Sequence, residues 1–122
     1  MLDKDKLERI LQMSIFKMLS GYTLYKEQPF TAFIPASIVE EEYDGDEQIL
    51  VQGIIDLLAV NENEAIIVDY KHSSVVSEEV LKARYEKQLR LYACAVEKVL
   101  KKKIKEAYLV NVNTCKMIKV EL

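Results

Sequence analysis

Residues 48–71 read QILVQGIIDLLAVNENEAIIVDYK and consist of two apolar runs separated by a short polar joint. The runs cover 48–60 and 65–70, and both are rich in the β-branched residues that favour strands. The joint at 61–64 is short enough for an antiparallel turn. This stretch therefore predicts a β-hairpin.

Helices and further strands are predicted on both sides of the hairpin. Residues 3–20 show apolar side chains at helical spacing, with Gly21 in place for a left-handed C-terminal cap. Residues 22–34 are aromatic- and Thr-rich and contain Pro29, which indicates a strand near a sheet edge because proline cannot donate to a ladder. The Asp-Gly-containing segment 40–47 predicts a polar turn.

The second half of the chain predicts one long helix and a closing hairpin. Ser77 is a hydroxyl N-cap followed by two acids, and the helix ends at three lysines, 101–103. Residues 107–112 and 117–122 then predict two strands. The order α-β-β-β-α-β-β indicates an α/β fold with a sheet flanked by helices, rather than a doubly wound parallel sheet.

Composition excludes several classes of protein. The 122 residues are 50% hydrophobic and 30% charged, as in one globular domain. The net charge of −3 argues against a strongly basic protein that binds nucleic acid through its overall positive charge. The lack of a long apolar run and the charged N-terminus predict a cytoplasmic protein with no membrane partner. Cys94 and Cys115 cannot complete a four-cysteine zinc or iron–sulfur site and are expected to be reduced thiols.

Two acids stand in unusual places. Asp56 interrupts an apolar run and Asp69 closes another, although a buried carboxylate is costly unless it is paired or bound to metal. Each could simply mark a strand end or pair with a cationic side chain. Alternatively, a hairpin can bring the two acids together. Two carboxylates placed this close would repel each other, so their convergence would require a cation between them.

Lys71 is predicted to share a strand face with Asp69, while Val68, Tyr70 and His72 take the other face. Two carboxylates, a lysine and a divalent ion suit hydrolysis of a phosphodiester. The alternative for Lys71 is a structural salt bridge to one of the two acids.

Four segments of the sequence form a recognisable set: EQPF at 27–30, GIIDL at 53–57, IVDYK at 67–71 and YEKQLRLY at 85–92. Together they resemble the PD-(D/E)XK nuclease superfamily, and within it the C-terminal nuclease domain of AddA- and RecB-type helicase-nucleases. The resemblance covers nearly the whole chain, and it implies a restriction-endonuclease-like core with a mixed central sheet.

The resemblance also implies roles for individual residues. Asp56 and Asp69 match the metal-binding acids, which would hold Mg²⁺ or Mn²⁺, and Lys71 matches the catalytic lysine. Gln88 and Tyr92, one helical turn apart, match a motif that contacts DNA or orients the acids, with core packing as the alternative. Glu27 matches a residue of the metal or DNA site, and a surface glutamate on the strand is equally compatible.

One departure concerns histidine. The resemblance implies a histidine ligand on an upstream helix, whereas the one histidine here is His72, expected to be a surface or core-edge residue that is dispensable for metal binding. We therefore expect residues 1–122 to be one nuclease domain from the C-terminal part of a longer helicase-nuclease. The four-cysteine motif of iron–sulfur relatives is absent, so no iron–sulfur cluster is expected.

The predicted function is a metal-dependent DNA exonuclease domain acting in double-strand break repair and recombination. Its expected partners are single-stranded DNA, the helicase portion of the parent chain and a partner subunit. Two alternatives remain: a catalytically idle module that binds DNA or a partner, and a small nuclease that acts alone.

Overall fold

The computed structural model describes residues 4–39, 47–72, 74 and 77–122, without the side chains of 4–8 and 39. Residues 40–46 of the predicted polar turn lie outside the described residues. The helices and strands, in chain order, are α1 Lys4–Met18, β1 Thr23–Pro35, α2 Ala36–Val39, β2 Gln48–Val60, β3 Glu64–Lys71, α3 Glu78–Leu100, β4 Lys103–Asn111 and β5 Lys116–Val120.

The five strands form one mixed sheet in the order β1-β2-β3-β4-β5. Three neighbouring pairs are antiparallel, and β3 and β4 are parallel because α3 carries the chain back across the sheet between them. The predicted α/β class, element order and mixed sheet are confirmed, and β1 is an edge strand as Pro29 indicated. The sequence did not predict the single turn of α2.

Helix α3 begins and ends as its sequence predicted. The Ser77 hydroxyl accepts a hydrogen bond from the N–H of Val80, and Lys101 closes the helix in the left-handed conformation with φ 57°. The apolar side chains of α3 are buried at Leu81, Leu89 and Val96, whereas Val99 in the last turn is 53% exposed.

Two apolar cores lie on opposite faces of the sheet. The α3-side core joins α3 to side chains of every strand and includes Phe30, Ile55 and Ile67. The α1-side core packs Ile15 and Leu19 of the first helical segment against Leu57 and Val68. The predicted stripe of α1 is thus buried in the second half of the helix, whereas Ile10 and Met18 are exposed.

The described helices carry no span that could cross a membrane. Cys94 and Cys115 are both half-buried free thiols, as predicted.

Gly53 allows α3 to approach the sheet. A Cβ added at Gly53 would lie 2.7 Å from the hydroxyl oxygen of Tyr92 and 2.9 Å from a ring carbon of Phe30. The two rings themselves pack edge to face with centroids 4.8 Å apart. The backbone of Gly53 does not have a positive φ, so glycine is needed here for the space it leaves and not for its conformational freedom.

We expect Gly53→Ala to lower the free energy of unfolding by about 1–3 kcal/mol, since the added methyl group overpacks a well-filled contact. Urea titration monitored by circular dichroism measures the change. The penalty should shrink in a Tyr92→Ala background, which removes the obstructing ring.

Gly21→Ala provides a matched control. Gly21 has φ 92° and nothing within 4 Å of an added Cβ, so the substitution strains the backbone alone. Its penalty should be the same with and without Tyr92. An equal penalty for Gly53→Ala in both backgrounds would contradict the steric argument.

Candidate active site

The site is formed where β2 and β3 separate. Their ladder runs from the Val60–Ala65 pair to the Leu57–Val68 pair and stops there. Beyond that point β2 continues alongside β1, while β3 continues alongside β4 as far as Lys71. We call the opening between the two strands the fork. Asp56 and Asp69 are the first residue on each strand beyond the last pair.

Asp56 is held across the fork by the backbone of β3. Its Oδ2 accepts a hydrogen bond of 2.8 Å from the N–H of Tyr70. Because β2 no longer pairs with β3 at this point, that N–H has no ladder partner on β2 and the carboxylate takes its place. The same hydrogen bond fixes the carboxylate of Asp56 next to Asp69.

Lys71 lies on the same side of β3 as Asp69, as the strand periodicity predicted. Its Nζ is 3.1 Å from Oδ2 of Asp69 and 4.5 Å from the centroid of the Tyr85 ring on α3. The side chains of Asp69 and Lys71 are only 14% and 25% exposed. The ammonium group is thus confined between a carboxylate and an aromatic face.

The environment of Asp69 disfavours its charged form. Burial, together with a hydrogen bond to Asp56, raises the pKa of Asp69 from its ordinary value of 3.8 to about 6, while the charge of Lys71 opposes the rise. Without a cation, Asp69 therefore holds its proton more tightly than an ordinary aspartate.

This donor set fits a small, hard cation. Mg²⁺ is commonly held by one or two carboxylates and completes its octahedral shell with water and phosphate oxygens. Two carboxylates converge here, and within the described ranges no group of three or more His, Cys, Asp or Glu side chains could hold a metal. Asp56 and Asp69 are therefore the residues that could bind such an ion.

Gln88 and Tyr92 meet each other on the α3 side of the sheet. The Gln88 side-chain amide donates a 3.3 Å hydrogen bond to the Tyr92 hydroxyl, with Gln88 exposed and Tyr92 half-buried against Phe30. Among the described residues neither makes a hydrogen bond or ion pair with the two acids or the lysine of the fork. Gln88 is exposed, so its side chain does not pack in the core, whereas Tyr92 fills the space above Gly53.

A cavity of about 550 Å³ opens on the α1 side of the fork. Asp56 and Glu27 line it together with His72, Phe16 and Lys26. His72 is thus on the face opposite Asp69, as predicted, but it lines the same cavity as Asp56. Its position on that face separates His72 from Asp69 and does not separate it from Asp56.

Sequence reasoning missed two contributors to the site. The ring of Tyr85 supports the ammonium group of Lys71. Tyr85 lies three residues before Gln88, on the same side of the helix, and this spacing could have indicated a place in the site. The N–H of Tyr70 anchors Asp56, but no side-chain pattern reveals a backbone donor.

The fork geometry agrees with the sequence comparisons. A sequence model of the PD-(D/E)XK nuclease superfamily matches residues 3–120. This chain belongs to the PD-(D/E)XK nuclease superfamily. The predicted family is therefore confirmed.

Several curated relatives are named as one subunit of an ATP-dependent helicase/nuclease. The protein from Carboxydothermus hydrogenoformans is 41% identical over 98% of this chain and 11% of its own length. The protein from Desulforudis audaxviator is 37% identical over 93% of this chain and 10% of its own length. The chain thus spans about a tenth of the length of these relatives.

A solved structure supports the same fold. The crystal structure of SSO0001 superposes on 97% of this chain and 48% of its own, with a TM-score of 0.54 and 15% identity. At that identity the likeness concerns the fold alone.

We expect Asp69→Asn to stabilise the metal-free chain at pH 8 by on the order of 1 kcal/mol. The native pKa lies above the ordinary value, so the native state binds the proton more tightly than the unfolded chain. Stability is therefore lost as pH rises through about 4 to 6, and asparagine avoids that loss. Urea titrations with a chelator at pH 4 and pH 8 measure the difference.

Lys71→Met is the matched opposite variant. Because the charge of Lys71 opposes the rise in the pKa of Asp69, its removal should lower stability at pH 8 more than at pH 4. A gain from Asp69→Asn that is as large at pH 4 as at pH 8 would contradict the electrostatic account.

Proposed function

We propose that this chain is the nuclease domain of an ATP-dependent helicase-nuclease and hydrolyses phosphodiester bonds in DNA with Mg²⁺, for which Mn²⁺ can substitute. The observation that carries the proposal is the convergence of Asp56 and Asp69 at the fork, next to Lys71. The superfamily membership and the names of the relatives support the same activity.

The roles of the residues follow from their contacts. Asp56 and Asp69 would hold the ion, which when bound polarises the phosphate and lowers the pKa of a bound water. Lys71 is confined by Asp69 and Tyr85, so its ammonium group is pre-positioned to steady the attacking water or the developing negative charge.

Three further residues are proposed to contact or order the substrate. Gln88 presents an exposed amide beside Tyr92 on the α3 side, in reach of a DNA strand that lies along the helix. Glu27 lines the cavity next to Asp56 on the other side. Together they would place DNA across the fork rather than along a single face of the sheet.

The relatives suggest the biological setting. We propose that residues 1–122 form one domain of a longer polypeptide whose helicase portion feeds single-stranded DNA to the site, with a partner subunit completing the enzyme. The setting would be exonucleolytic processing of double-strand breaks for repair and recombination in the cytoplasm, without an iron–sulfur cluster.

We expect the 122-residue chain alone to bind Mg²⁺ weakly and to cut DNA at least about tenfold more slowly than a polypeptide extended upstream. Two carboxylates leave most coordination positions to water, and a net charge of −3 gives the chain little non-specific grip on phosphate. The assay follows labelled single-stranded DNA with Mg²⁺ for both lengths, each with and without Asp69→Ala.

The outcomes separate the candidate functions. Loss of cleavage in both Asp69→Ala proteins, with a slower short chain, supports the proposal. Equal rates for the two lengths, both abolished by Asp69→Ala, indicate a nuclease that acts alone. DNA binding without cleavage at either length, unchanged by Asp69→Ala, indicates an idle binding module and overturns the proposal.

A further inference from the structure

The ladder between β1 and β2 is interrupted at a single pair of positions. Lys26 pairs with Leu57 and Gln28 pairs with Ile55 at the same offset, but the intervening Glu27 and Asp56 are not paired. Glu27 has φ 50°, in the left-handed region that side chains other than glycine rarely adopt. The interruption therefore combines a strained backbone on one strand with a site acid on the other.

Both strands change faces at this point. In a regular strand, residues two apart lie on the same face. Ile55 belongs to the α3-side core, but Leu57 belongs to the α1-side core. On β1, Phe30 lies in the α3-side core while Leu24 packs on the α1-side core. The side chains of β1 and β2 thus switch from one face of the sheet to the other between these residues. We call this switch the roll.

Asp56 lies at the roll and reaches both faces. Its side chain lines the α1-side cavity, and its carboxylate also contacts Asp69, on the α3 side, and accepts the N–H of Tyr70. In a strand without the roll, Asp56 would project to one face only. The roll therefore points the carboxylate into the fork.

The side chain of Glu27 contributes no contact that would explain its strained backbone. It is exposed, and within the described part of the chain its carboxylate makes no hydrogen bond or ion pair. A left-handed conformation is unfavourable at a residue with a Cβ, because the Cβ comes too close to the following carbonyl oxygen. Backbone strain of this kind concentrates at functional sites, where the surrounding structure imposes it.

We propose that Glu27 is a positioning residue whose left-handed backbone conformation, rather than its carboxylate, produces the roll in β1 and β2. The roll in turn directs the carboxylate of Asp56 toward the metal ion. The inference rests on the proposed function in taking Asp56 as a metal ligand. It gives the backbone of Glu27 a role in supporting the metal site, separate from the substrate contact proposed for its side chain.

The test is a substitution series at Glu27 that separates backbone preference from side-chain charge. Glycine and asparagine accept the left-handed conformation, alanine pays the same cost as glutamate, and the β-branched valine and threonine disfavour it strongly. Mn²⁺ affinity is measured by electron paramagnetic resonance, and folding by circular dichroism and urea titration.

We expect Glu27→Gly, Glu27→Asn and Glu27→Ala to bind Mn²⁺ within about threefold of the unsubstituted chain, and Glu27→Val and Glu27→Thr to lose about tenfold or more. The free energy of unfolding should follow the order Gly and Asn above Ala, and Ala above Thr and Val. In an Asp56→Asn background, Glu27→Thr should have no further effect on Mn²⁺ affinity, because its action passes through Asp56.

Gly21→Val is the matched control. It forces a β-branched residue into a positive φ of 92° where an added Cβ meets nothing within 4 Å, so it should lower stability and leave Mn²⁺ affinity unchanged. This separates positioning of the ligand from general destabilisation.

Two results would overturn the inference. Equal losses of Mn²⁺ affinity in the glycine, asparagine and alanine variants would assign the role to the carboxylate. Retained affinity in a folded Glu27→Val or Glu27→Thr would show that the roll does not depend on this backbone. Failure of the proposed function looks different: Asp56→Asn and Asp69→Asn would then leave Mn²⁺ affinity unchanged.

Discussion

The site depends on the early end of the ladder between β2 and β3. A continuous ladder would set Asp56 and Asp69 opposite each other as an ordinary cross-strand pair, with like charges in contact. Because the strands separate after the Leu57–Val68 pair, the backbone N–H of residue 70 is free to hold one carboxylate while Lys71 holds the other. The fork thus brings the two acids together beside a backbone donor and an ammonium group, and the proposed metal ion would bind there.

The two faces of the sheet support this fork differently. On the α3 side, Gly53 lets Tyr92 pack directly on β2, and Tyr85 of the same helix covers Lys71. On the α1 side the sheet is less completely covered, and the cavity beside Asp56 stays open. The ammonium group of Lys71 is therefore enclosed by Asp69 and Tyr85, while Asp56 remains accessible to solvent.

The buried carboxylate of Asp69 lowers the stability of the metal-free protein. Burial beside Asp56 raises the pKa of Asp69 to about 6, so at neutral pH its negative charge opposes folding. A divalent ion would reverse the sign of that interaction. Sites that trade stability for chemistry in this way are common in enzymes, and here the trade is concentrated in one carboxylate pair.

The sequence by itself determined the element order, the edge position of β1, the caps of α3 and the shared face of Asp69 and Lys71. These follow from local rules: the period of two in a strand, the hydroxyl at Ser77 and the missing N–H of Pro29. Only the tertiary structure decided where the β2–β3 ladder ends, which face Asp56 reaches and what holds it. Asp56 lies opposite the left-handed backbone at position 27 and is held by a backbone N–H, and neither feature leaves a pattern in the side chains.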